Sequence, residues 1–304
     1  MAPAEVGAPP RTPPRMTIAF LGLGAMGARQ AGRLLDAGHA LAVWNRTPER
    51  AGPLVARGAR LAASPRDAAQ GADLAVAMVR DDDASRAVWT GADGALAGLA
   101  AGAVAVESST LTPAWTRELG ALAAAAEVGF VEAPVVGSRP HAEKGVLTVL
   151  AGGDAGALER ARPALDAYAG AVHATGVVGT AAAVKLAVNA LFAVQAAALA
   201  ELLPTVAAAG VEPARAAELL NAMPTASPAA QRVASLMPER AFAPNFPIEL
   251  VAKDLGYVVG AARAAGVGAG VVAAAAEAFA EAEARGFGGD DLIGIAQLHA
   301  PGGV

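Results

Sequence analysis

The stretch from Ile18 to Arg50, IAFLGLGAMGARQAGRLLDAGHALAVWNRTPER, decides the fold of this chain. It begins with an apolar run typical of a buried strand, continues through a glycine-rich turn and an amphipathic helix, and ends with a second apolar strand. Gly22, Gly24 and Gly27 form a GxGxxG pattern between the first strand and the helix. This order of strand, glycine turn, helix and strand predicts the first βαβ unit of a doubly wound sheet.

The three glycines have separate roles in a βαβ unit that binds a dinucleotide. The first allows the tight turn, the second lets the backbone approach a pyrophosphate, and the third permits close packing of helix on strand. The same pattern in an Ala- and Gly-rich chain also occurs as a purely structural turn, but the flanking strands and helix favour a dinucleotide. Its phosphates are expected at the helix N-terminus. The residues assigned to this part of the site are Gly22, Leu23, Gly24, Ala25, Met26 and Gly27.

The residues after the second strand indicate which dinucleotide binds. An acidic residue about 20 positions beyond the glycines would hold the ribose 2′-hydroxyl of NAD. This chain has Asn45, Arg46 and Thr47 there and no carboxylate. Arg46 can bind a 2′-phosphate through two hydrogen bonds, with Asn45 and Thr47 as further donors. The sequence therefore predicts NADP(H) as the preferred cofactor, with NAD(H) as the alternative and a merely solvated Arg46 as the competing interpretation.

The rest of the N-terminal half repeats the alternation of strands and helices. Further strands are predicted at LAVAMV, AVAVES, GFVEAP, LTVLAG and AVHAT, after the first two at TIAFLG and ALAVWN. Thr47 and Ser64 each precede a proline, and both are predicted to cap a helix with their hydroxyl groups. Residues 16–178 are therefore predicted to form a Rossmann-type, doubly wound dinucleotide-binding domain with a mostly parallel sheet.

The pattern changes after Gly176, because the remaining sequence contains Ala-rich helical segments and no convincing strand. The helices are predicted to break at Gly210, Pro224, Pro244 and Gly266. Residues 179–304 are predicted to form an all-α domain for substrate binding and dimerisation, joined to the first domain by a long helix. The fold class is α/β with a helical C-terminal domain and a cleft between the halves. Residues 1–15, rich in proline and small side chains, are predicted to be a flexible tail.

Composition excludes several classes of protein. The formal charge of -5 provides no basic field for nucleic acid. The chain has no cysteine, and its four histidines are scattered without ligand spacing, so no metal centre is expected. It contains no uninterrupted run of about 18 apolar residues, and the first residues lack the apolar core of a signal peptide. We therefore expect a cytoplasmic protein with a small-molecule substrate and neither a nucleic-acid nor a membrane partner.

One charged side chain interrupts the apolar helix that is predicted after Gly179. Lys185 lies among alanines, valines and leucines, and Asn189 follows four residues later on the same helical face. A lysine in such a helix either extends its stem along the alanines to reach water or stays inside with a lowered pKa. The second interpretation requires a polar target that Lys185 and Asn189 share, and the helix alone does not identify one.

Six blocks occur in fixed order along the chain: GLGAMG, NRTPERA, ESSTLTP, EAPVVGSRPHAEKGVLTVLAGGD, GVVGTAAAVKLAVNALF and FPIELVAKDLGYV. With these blocks the sequence resembles the β-hydroxyacid dehydrogenases, the 3-hydroxyisobutyrate dehydrogenase-like enzymes, over essentially everything after Met16. NRT and GSRPHAEKG look most like the NADPH-dependent glyoxylate and succinic semialdehyde reductases. The resemblance implies an oxidoreductase whose first domain is of the 6-phosphogluconate dehydrogenase NADP-binding type and which assembles as a homodimer or homotetramer.

The resemblance also implies roles for particular residues. Lys185 would be the catalytic lysine, and Asn189 would help to hold the substrate. Thr110 would lie beside the nicotinamide and the substrate, and Lys253 of the KD pair would close over the cofactor. Two further residues assigned to the cofactor are Met78 and Val79. In the mechanism that follows, hydride passes between the nicotinamide and a carbonyl carbon while Lys185 exchanges a proton with the carbonyl oxygen.

One block departs from the family pattern. The loop that binds the substrate carboxylate is normally Ala-Pro-Val-Ser-Gly-Gly or Ala-Pro-Val-Ser-Gly-Ser, and Val136 replaces its serine here. The backbone N–H groups of Gly137 and Ser138 can still bind an anion. One hydroxyl donor is lost and a branched apolar group takes its place. The departure leaves the reaction class unchanged and favours a bulkier or less polar carbonyl compound.

Three alternatives stand beside the main prediction. Decarboxylating 6-phosphogluconate dehydrogenases share the lysine and asparagine, but they have a longer helical domain and a histidine where this chain has alanines. Imine reductases share VWNRTPE but usually lack the lysine. A dinucleotide-binding scaffold without turnover is disfavoured by the presence of Lys185 and Asn189. The main prediction is an NADP(H)-dependent reductase or dehydrogenase acting on a small β-hydroxyacid or an aldehyde, including semialdehydes, with Lys185 as general acid and base.

Overall fold

The computed structural model describes residues 15–299 of the chain. Its strands are β1 (Thr17–Leu21), β2 (Ala40–Trp44), β3 (Arg60–Leu61), β4 (Leu74–Ala77), β5 (Val104–Glu107), β6 (Gly129–Glu132), β7 (Val135–Val136), β8 (Leu147–Gly153) and β9 (Ala169–Gly176). In this part of the chain, the nine strands form one sheet in the order β3-β2-β1-β4-β5-β6-β8-β7, with β9 paired to β8.

The helices fall into two groups along the chain. Those around the sheet are α1 (Gly27–Asp36), α2 (Gly52–Val55), α3 (Pro65–Ala69), α4 (Asp82–Trp89), α5 (Pro113–Ala125), α6 (Arg139–Lys144) and α7 (Ala155–Asp166). Those of the C-terminal half are α8 (Thr180–Ala208), α9 (Pro213–Asn221), α10 (Pro228–Leu236), α11 (Ile248–Ala264) and α12 (Gly270–Ala282). A 3-10 helix, Leu292–His299, ends the described chain.

The sheet has the topology of a dinucleotide-binding fold. The strands from β3 to β6 run parallel in the order 3-2-1-4-5-6. In such a sheet the strand order reverses between β1 and β4, and ligands bind at the carboxyl ends of these strands. The strands β7 and β8 pair antiparallel, and β8 pairs parallel with β9. The fold class predicted from the sequence, including the long helix and the helical C-terminal half, is confirmed.

Burial explains why the strands are apolar on both faces. Every residue of β4 and β5 is buried, since helices cover each side of the sheet. One apolar cluster includes Ile18 and Phe20 on one face, and a second includes Ala19 and Leu21 on the other. A third cluster lies among the helices of the C-terminal half. The chain therefore has separate apolar cores in its two halves.

The predicted helix caps have different outcomes. Ser64 caps α3, because its hydroxyl accepts from the Asp67 N–H at 3.0 Å. The prediction for Thr47 is wrong, because its side chain makes no capping hydrogen bond. The segment after Pro48 starts as a 3-10 turn, in which the Arg50 N–H donates to the Thr47 carbonyl at 3.2 Å. A capping Thr47 hydroxyl would have accepted from the same Arg50 N–H, which the backbone carbonyl already occupies.

The helical half follows the predicted breaks. The helix α8 ends before Gly210, α9 ends before Pro224, α11 begins after Pro244, and α11 ends before Gly266. Among residues 15–299, α8 is the helix long and apolar enough to cross a membrane by length and composition alone. It contacts each of the other four helices of this half and contributes to their common core. One face of α8 therefore belongs to the core of the helical half, while other apolar side chains of the helix are exposed.

Candidate active site

The glycine-rich turn lies between the end of β1 and the start of α1. Gly22 has a φ of +96°, a conformation that glycine adopts without strain. A Cβ atom on Gly22 would lie 2.3 Å from the Met78 carbonyl oxygen, and one on Gly27 would lie 2.0 Å from the Gly22 carbonyl oxygen. A Cβ atom on Gly24 would meet no heavy atom within 4 Å. Gly22 and Gly27 are therefore required by the chain's own packing, whereas Gly24 borders open space.

Backbone donors face the same space. Within residues 15–299, the N–H groups of Gly24, Ala25 and Met26 have no acceptor in the chain. Met26 begins α1 without a side-chain cap. Unpaired N–H groups at a helix N-terminus attract phosphate groups through hydrogen bonding and the helix dipole. The turn therefore fits the pyrophosphate of a dinucleotide, and a side chain at position 24 would fill part of that space.

The loop after β2 lies against this turn. The Asn45 Oδ1 accepts from the Leu23 N–H at 2.8 Å, and its Nδ2 donates to the Thr47 carbonyl at 2.9 Å. The Asn45 amide thus joins the loop to the turn. Arg46 is exposed, and its guanidinium has no ion pair or hydrogen bond with the part of the chain that the structure describes. An arginine beside an anion-binding turn, with its five donors free, can take a further phosphate.

The ends of β4 and β5 place the next group of predicted residues together. Met78 and Val79 are half-buried directly after β4. The Val79 N–H donates to the Ser109 Oγ at 2.8 Å, which ties this segment to the end of β5. Thr110 follows Ser109 and is half-buried. Gly22 lies close to the Met78 carbonyl, and the next residue, Val79, is bonded to Ser109. The glycine-rich turn is therefore near the segment that contains Thr110.

Glu107 holds the segment that leads to Thr110. Its side chain is buried and accepts from the Ser85 hydroxyl at 2.6 Å, the Trp89 indole at 2.8 Å and the Ser109 N–H at 2.8 Å. Burial raises the pKa of Glu107, and these donors oppose the rise by stabilising the carboxylate. A buried carboxyl with three partners fixes the direction in which the backbone leaves β5.

Lys253 connects the end of β5 to the helical half. Its Nζ donates to the Thr110 carbonyl at 2.9 Å and lies 2.8 Å from the Asp254 Oδ1. The ammonium also lies 4.5 Å from the centre of the Tyr257 ring, a cation–π contact. The Tyr257 hydroxyl accepts from the Asp82 N–H at 3.1 Å. These contacts hold α11 against the loops at the carboxyl edge of the sheet.

Lys185 lies inside the protein, where its residue is 8% exposed. The Lys185 Nζ donates to the Asn189 Oδ1 at 2.8 Å, and the Asn189 Nδ2 donates to the Asp254 Oδ2 at 2.6 Å. Asp254 is therefore the polar target of this pair, which Asn189 contacts directly and Lys185 reaches through Asn189. The interpretation in which the lysine extends to water is wrong. Since Asp254 also pairs with Lys253, one chain of polar contacts runs from Thr110 to Lys185.

The surroundings change the acidity of Lys185. Burial lowers the pKa of Lys185 to about 8, since the ammonium loses hydration. Within this net shift, the carboxylate of Asp254 acts to raise the pKa and the positive charge of Lys253 acts to lower it. An amine in this range exchanges protons readily near neutral pH, as a general acid or base must.

The loop that contains Val136 connects β7 to α6. Val136 ends β7 and is half-buried, and Gly137 has a φ of +129°. The Ser138 N–H donates to the His141 Nδ1 at 3.3 Å, and the Ser138 Oγ lies 3.2 Å from the same nitrogen. The N–H and the hydroxyl of Ser138 thus both contact His141, in the first turn of α6. This N–H is occupied in the structure, although the sequence prediction assigned it to an anion.

The helix that follows this loop was not predicted from the sequence. It packs against α1, where Arg29 pairs with Glu143 at 2.8 Å. The loop of Val136 is therefore joined to the helix that begins at the glycine-rich turn. The hydrogen bond of the Lys185 side chain goes to Asn189 and not to the loop of Val136. The contacts described above connect Leu23 to Asn45, Val79 through Ser109 to the segment of Thr110, and the Thr110 carbonyl through Lys253 and Asp254 to Asn189 and Lys185.

Three side chains of the site have roles that sequence reasoning missed. Asp254 was identified only as part of the KD pair, and its bond to Asn189 depends on how α8 and α11 pack. Glu107 ends a strand of apolar residues, and a charged residue in such a run is the signal that could have indicated it. Tyr257 had no signal, because its partner is a backbone N–H of α4.

Comparisons with known proteins identify the family to which the chain is similar. Residues 17–179 match the family model for the NAD binding domain of 6-phosphogluconate dehydrogenase. Residues 179–299 match the family model for NAD-binding of NADP-dependent 3-hydroxyisobutyrate dehydrogenase. Together the two matches extend over both halves of the described chain.

Individual proteins are similar over most of the chain. The NAD-dependent L-serine dehydrogenase of Pseudomonas aeruginosa is 35% identical, over 82% of this chain and 86% of that protein. The chloroplastic glyoxylate/succinic semialdehyde reductase 2 of Arabidopsis thaliana is 32% identical, over 82% and 70%. The structure of Mycobacterium tuberculosis 3-hydroxyisobutyrate dehydrogenase with L-serine has a TM-score of 0.87 at 29% identity, covering 94% of this chain and 100% of that one.

The chain belongs to the β-hydroxyacid dehydrogenase family of 3-hydroxyisobutyrate dehydrogenase-like enzymes. It is an NAD(P)-binding oxidoreductase, and its homologues act on hydroxyl and carbonyl groups.

Proposed function

We propose that this chain is an NADP(H)-dependent reductase or dehydrogenase that interconverts a small β-hydroxyacid or alcohol with its aldehyde or semialdehyde. The observation that carries the proposal is the buried Lys185, bonded through Asn189 to Asp254. Removing an ammonium from water costs stability, and a scaffold without turnover gains nothing from it. The similarity to glyoxylate/succinic semialdehyde reductase 2 supports the same substrate class.

Different residues of this chain would bind the cofactor and transfer the proton in such a reaction. A bound nicotinamide dinucleotide supplies the hydride in reduction and accepts it in oxidation. The turn at Gly24 would hold its pyrophosphate, and Thr110 and Lys253 would lie at its nicotinamide end. Lys185 gives a proton from Nζ to the carbonyl oxygen in reduction and removes it from the hydroxyl in oxidation. One of its three donors is used by Asn189, which leaves the others for the substrate.

Replacing Lys185 with methionine tests the proposal. Lys185→Met removes the proton donor and should lower kcat by something on the order of 10²- to 10⁴-fold, with little change in NADPH affinity. In the wild type, reduction needs the ammonium, so its rate should fall as pH rises through about 8, and oxidation needs the neutral amine, so its rate should rise there. Steady-state rates over a panel of small aldehydes, β-hydroxyacids and cyclic imines, with both cofactors, provide the measurement.

Lys144→Met is the matched control, because Lys144 is exposed and lies on α6. It should leave both kcat and the pH profile unchanged. A folded Lys185→Met protein with full activity would exclude the assigned role. Turnover of cyclic imines alone would favour the imine reductase alternative, and no turnover of any compound would favour the scaffold.

The exposed Arg46 supports NADP(H) as the preferred cofactor. In the described chain no carboxylate pairs with its guanidinium, and it lies next to a turn with unpaired N–H groups. A 2′-phosphate would supply the missing anion and accept hydrogen bonds from the fork of the arginine. The comparisons do not decide the question, since one relative is named as NAD-dependent and one matching family model is named after an NADP-dependent enzyme.

Arg46→Ala should therefore weaken NADPH binding by about 10- to 100-fold, because hydrogen bonds to a charged group are lost. NADH binding should change little. Calorimetric titration of both cofactors measures the effect, with the exposed Arg50→Ala as a control that should preserve the preference. Tighter binding of NADH than NADPH to the wild type would contradict the preference itself.

We propose that Val136 determines which carbonyl compound is preferred. The side chain is half-buried at the loop assigned to the substrate carboxylate, and the neighbouring Ser138 is already bonded to His141. The loop thus has fewer free donors for a carboxylate than a loop with serine at this position. Substrates with a bulkier or less polar group next to the carbonyl would fit it better.

Val136→Ser should raise kcat/KM for glyoxylate or succinic semialdehyde by about tenfold, through one hydrogen bond to a charged group. The kcat/KM for an uncharged aldehyde of similar size should not rise, and this comparison is the internal control. An equal change for charged and uncharged substrates would show that position 136 does not discriminate between them.

We also propose that the chain is a cytoplasmic homodimer or homotetramer of protomers with domains 16–178 and 179–304. The support is a stripe of exposed apolar side chains on α8, with Val184, Val188, Leu191 and Leu202 being 42%, 37%, 65% and 49% exposed. Contiguous apolar surface on a folded protein marks an interaction site more often than single exposed residues do.

Leu191→Glu should disrupt such an assembly, because a charge would be buried in the interface. Light scattering should show a multiple of the chain mass for the wild type and a shift toward the single-chain mass for the variant. Leu61→Glu adds the same charge at an exposed leucine of β3 and should leave the mass unchanged. A monomeric wild type would refute the proposed assembly.

A further inference from the structure

Glu132 ends β6 and is buried, with 1% of its surface exposed. Its Oε1 accepts from the Gly179 N–H at 2.7 Å and the Ala181 N–H at 2.9 Å, and its Oε2 accepts from the Ala182 N–H at 3.1 Å. These donors belong to the first turn of α8, whose own N-cap residue provides no side chain. A carboxylate from the sheet therefore caps the helix that carries Lys185.

The backbone around Glu132 leaves room for this contact. Gly152 pairs with Glu132 across β6 and β8, and a Cβ atom on Gly152 would lie 2.3 Å from the Glu132 Oε1. Gly179 has a φ of +96°, and a Cβ atom there would lie 2.6 Å from the Arg117 Nε. Burial raises the pKa of Glu132, and the backbone donors oppose the rise by stabilising the carboxylate.

Other helix caps in the chain make smaller contacts. Ser64, Asp154 and Ser227 each accept from one N–H of the helix that follows them in sequence. Glu132 instead accepts three N–H groups from a helix that begins 48 residues later in the chain. Its contact therefore sets how α8 lies relative to the sheet, besides stabilising the first turn.

The position of Lys185 and the position of the Val136 loop both depend on how α8 lies relative to the sheet. Lys185 lies five residues beyond Thr180, or about 7.5 Å along the axis of α8. Because Lys185 and Asn189 belong to one helix, rotation or sliding of its first turn would move both relative to Asp254. In the other direction, the chain runs from Glu132 through three residues to Val136. One carboxylate thus connects the proton donor to the strand that leads into the substrate loop.

We infer that Glu132 is a positioning residue, which holds Lys185 in register with Asp254 and with the loop of Val136. The inference rests on the proposed role of Lys185. Glu132 contacts the backbone of α8 and acts on the reaction only through the placement of the helix. Its replacement should therefore alter the environment and the catalytic rate of Lys185 without altering the cofactor-binding turn.

The small number of lysines allows a direct measurement. Lys144, Lys185 and Lys253 are the three lysines of the sequence, so a protein labelled with [ε-¹³C]lysine gives three signals to follow against pH. The signal that disappears in Lys185→Met identifies Lys185. Its titration midpoint in the wild type should lie near the pKa of about 8 that burial produces.

Glu132→Gln should raise that midpoint by about one unit toward the ordinary lysine value, because a displaced ammonium regains hydration. It should also lower kcat by roughly 10- to 100-fold, with the KM for NADPH unchanged. Gly152→Ala is the second variant. It keeps the carboxylate, but the added Cβ atom would displace the Glu132 Oε1. Like Glu132→Gln, it should therefore raise the midpoint and lower kcat.

Glu212→Gln is the matched control, since Glu212 caps α9 by accepting from the Arg215 N–H and this helix carries no site residue. It should leave the Lys185 midpoint and kcat at wild-type values. If Glu132→Gln does not fold, Gly152→Ala provides the same two readouts. Wild-type values of both in a folded Glu132→Gln or Gly152→Ala protein, even with a lower Tm, would overturn the inference.

Failure of the proposed function has a different signature. A fully active Lys185→Met protein, or a wild type that reduces none of the carbonyl compounds, would contradict the catalytic role of Lys185. The titration midpoint needs neither cofactor nor substrate, so it would still show whether Glu132 places Lys185 in its buried environment.

Discussion

A buried ammonium has to be held by polar partners, and the arrangement of the candidate active site depends on how Lys185 is held. Its bond to Asn189 stays within one helix, but the bond from Asn189 to Asp254 joins α8 to α11. Lys253, next to Asp254, bonds to the Thr110 carbonyl at the end of β5. The same chain of contacts therefore holds the lysine and closes the helical half onto the carboxyl edge of the sheet.

Buried carboxyl groups recur among the contacts that position the residues of the candidate site. Glu107 fixes the backbone before Thr110, Glu132 caps α8, and Asp254 orients Asn189. Burying a charge is costly unless several hydrogen bonds compensate, and each of these groups has two or more partners. The cost falls on the residues around the candidate site, while the apolar cores of the two halves are built largely from alanine, valine and leucine.

Local patterns explain which parts of the structure could be predicted. The turn from Gly22 to Gly27 and the capping of α3 by Ser64 depend on neighbouring residues, and both were predicted correctly. The two-residue strands β3 and β7 were missed, because such short elements have no periodicity and form only where a longer strand offers its edge. The predicted cap at Thr47 was wrong, because the Arg50 N–H donates to the Thr47 carbonyl and not to its hydroxyl.

The sequence by itself determined the βαβ beginning, the change to an all-helical half after Gly176, and the presence of a lysine and an asparagine on one face of an apolar helix. These features follow from spacing along a single segment, where the geometry of a helix or strand is known in advance. Only the tertiary structure decided that Lys185 stays inside and that Asp254 and Glu132 hold its helix. Those contacts join segments tens of residues apart, and their distances depend on how the helices pack against the sheet and each other.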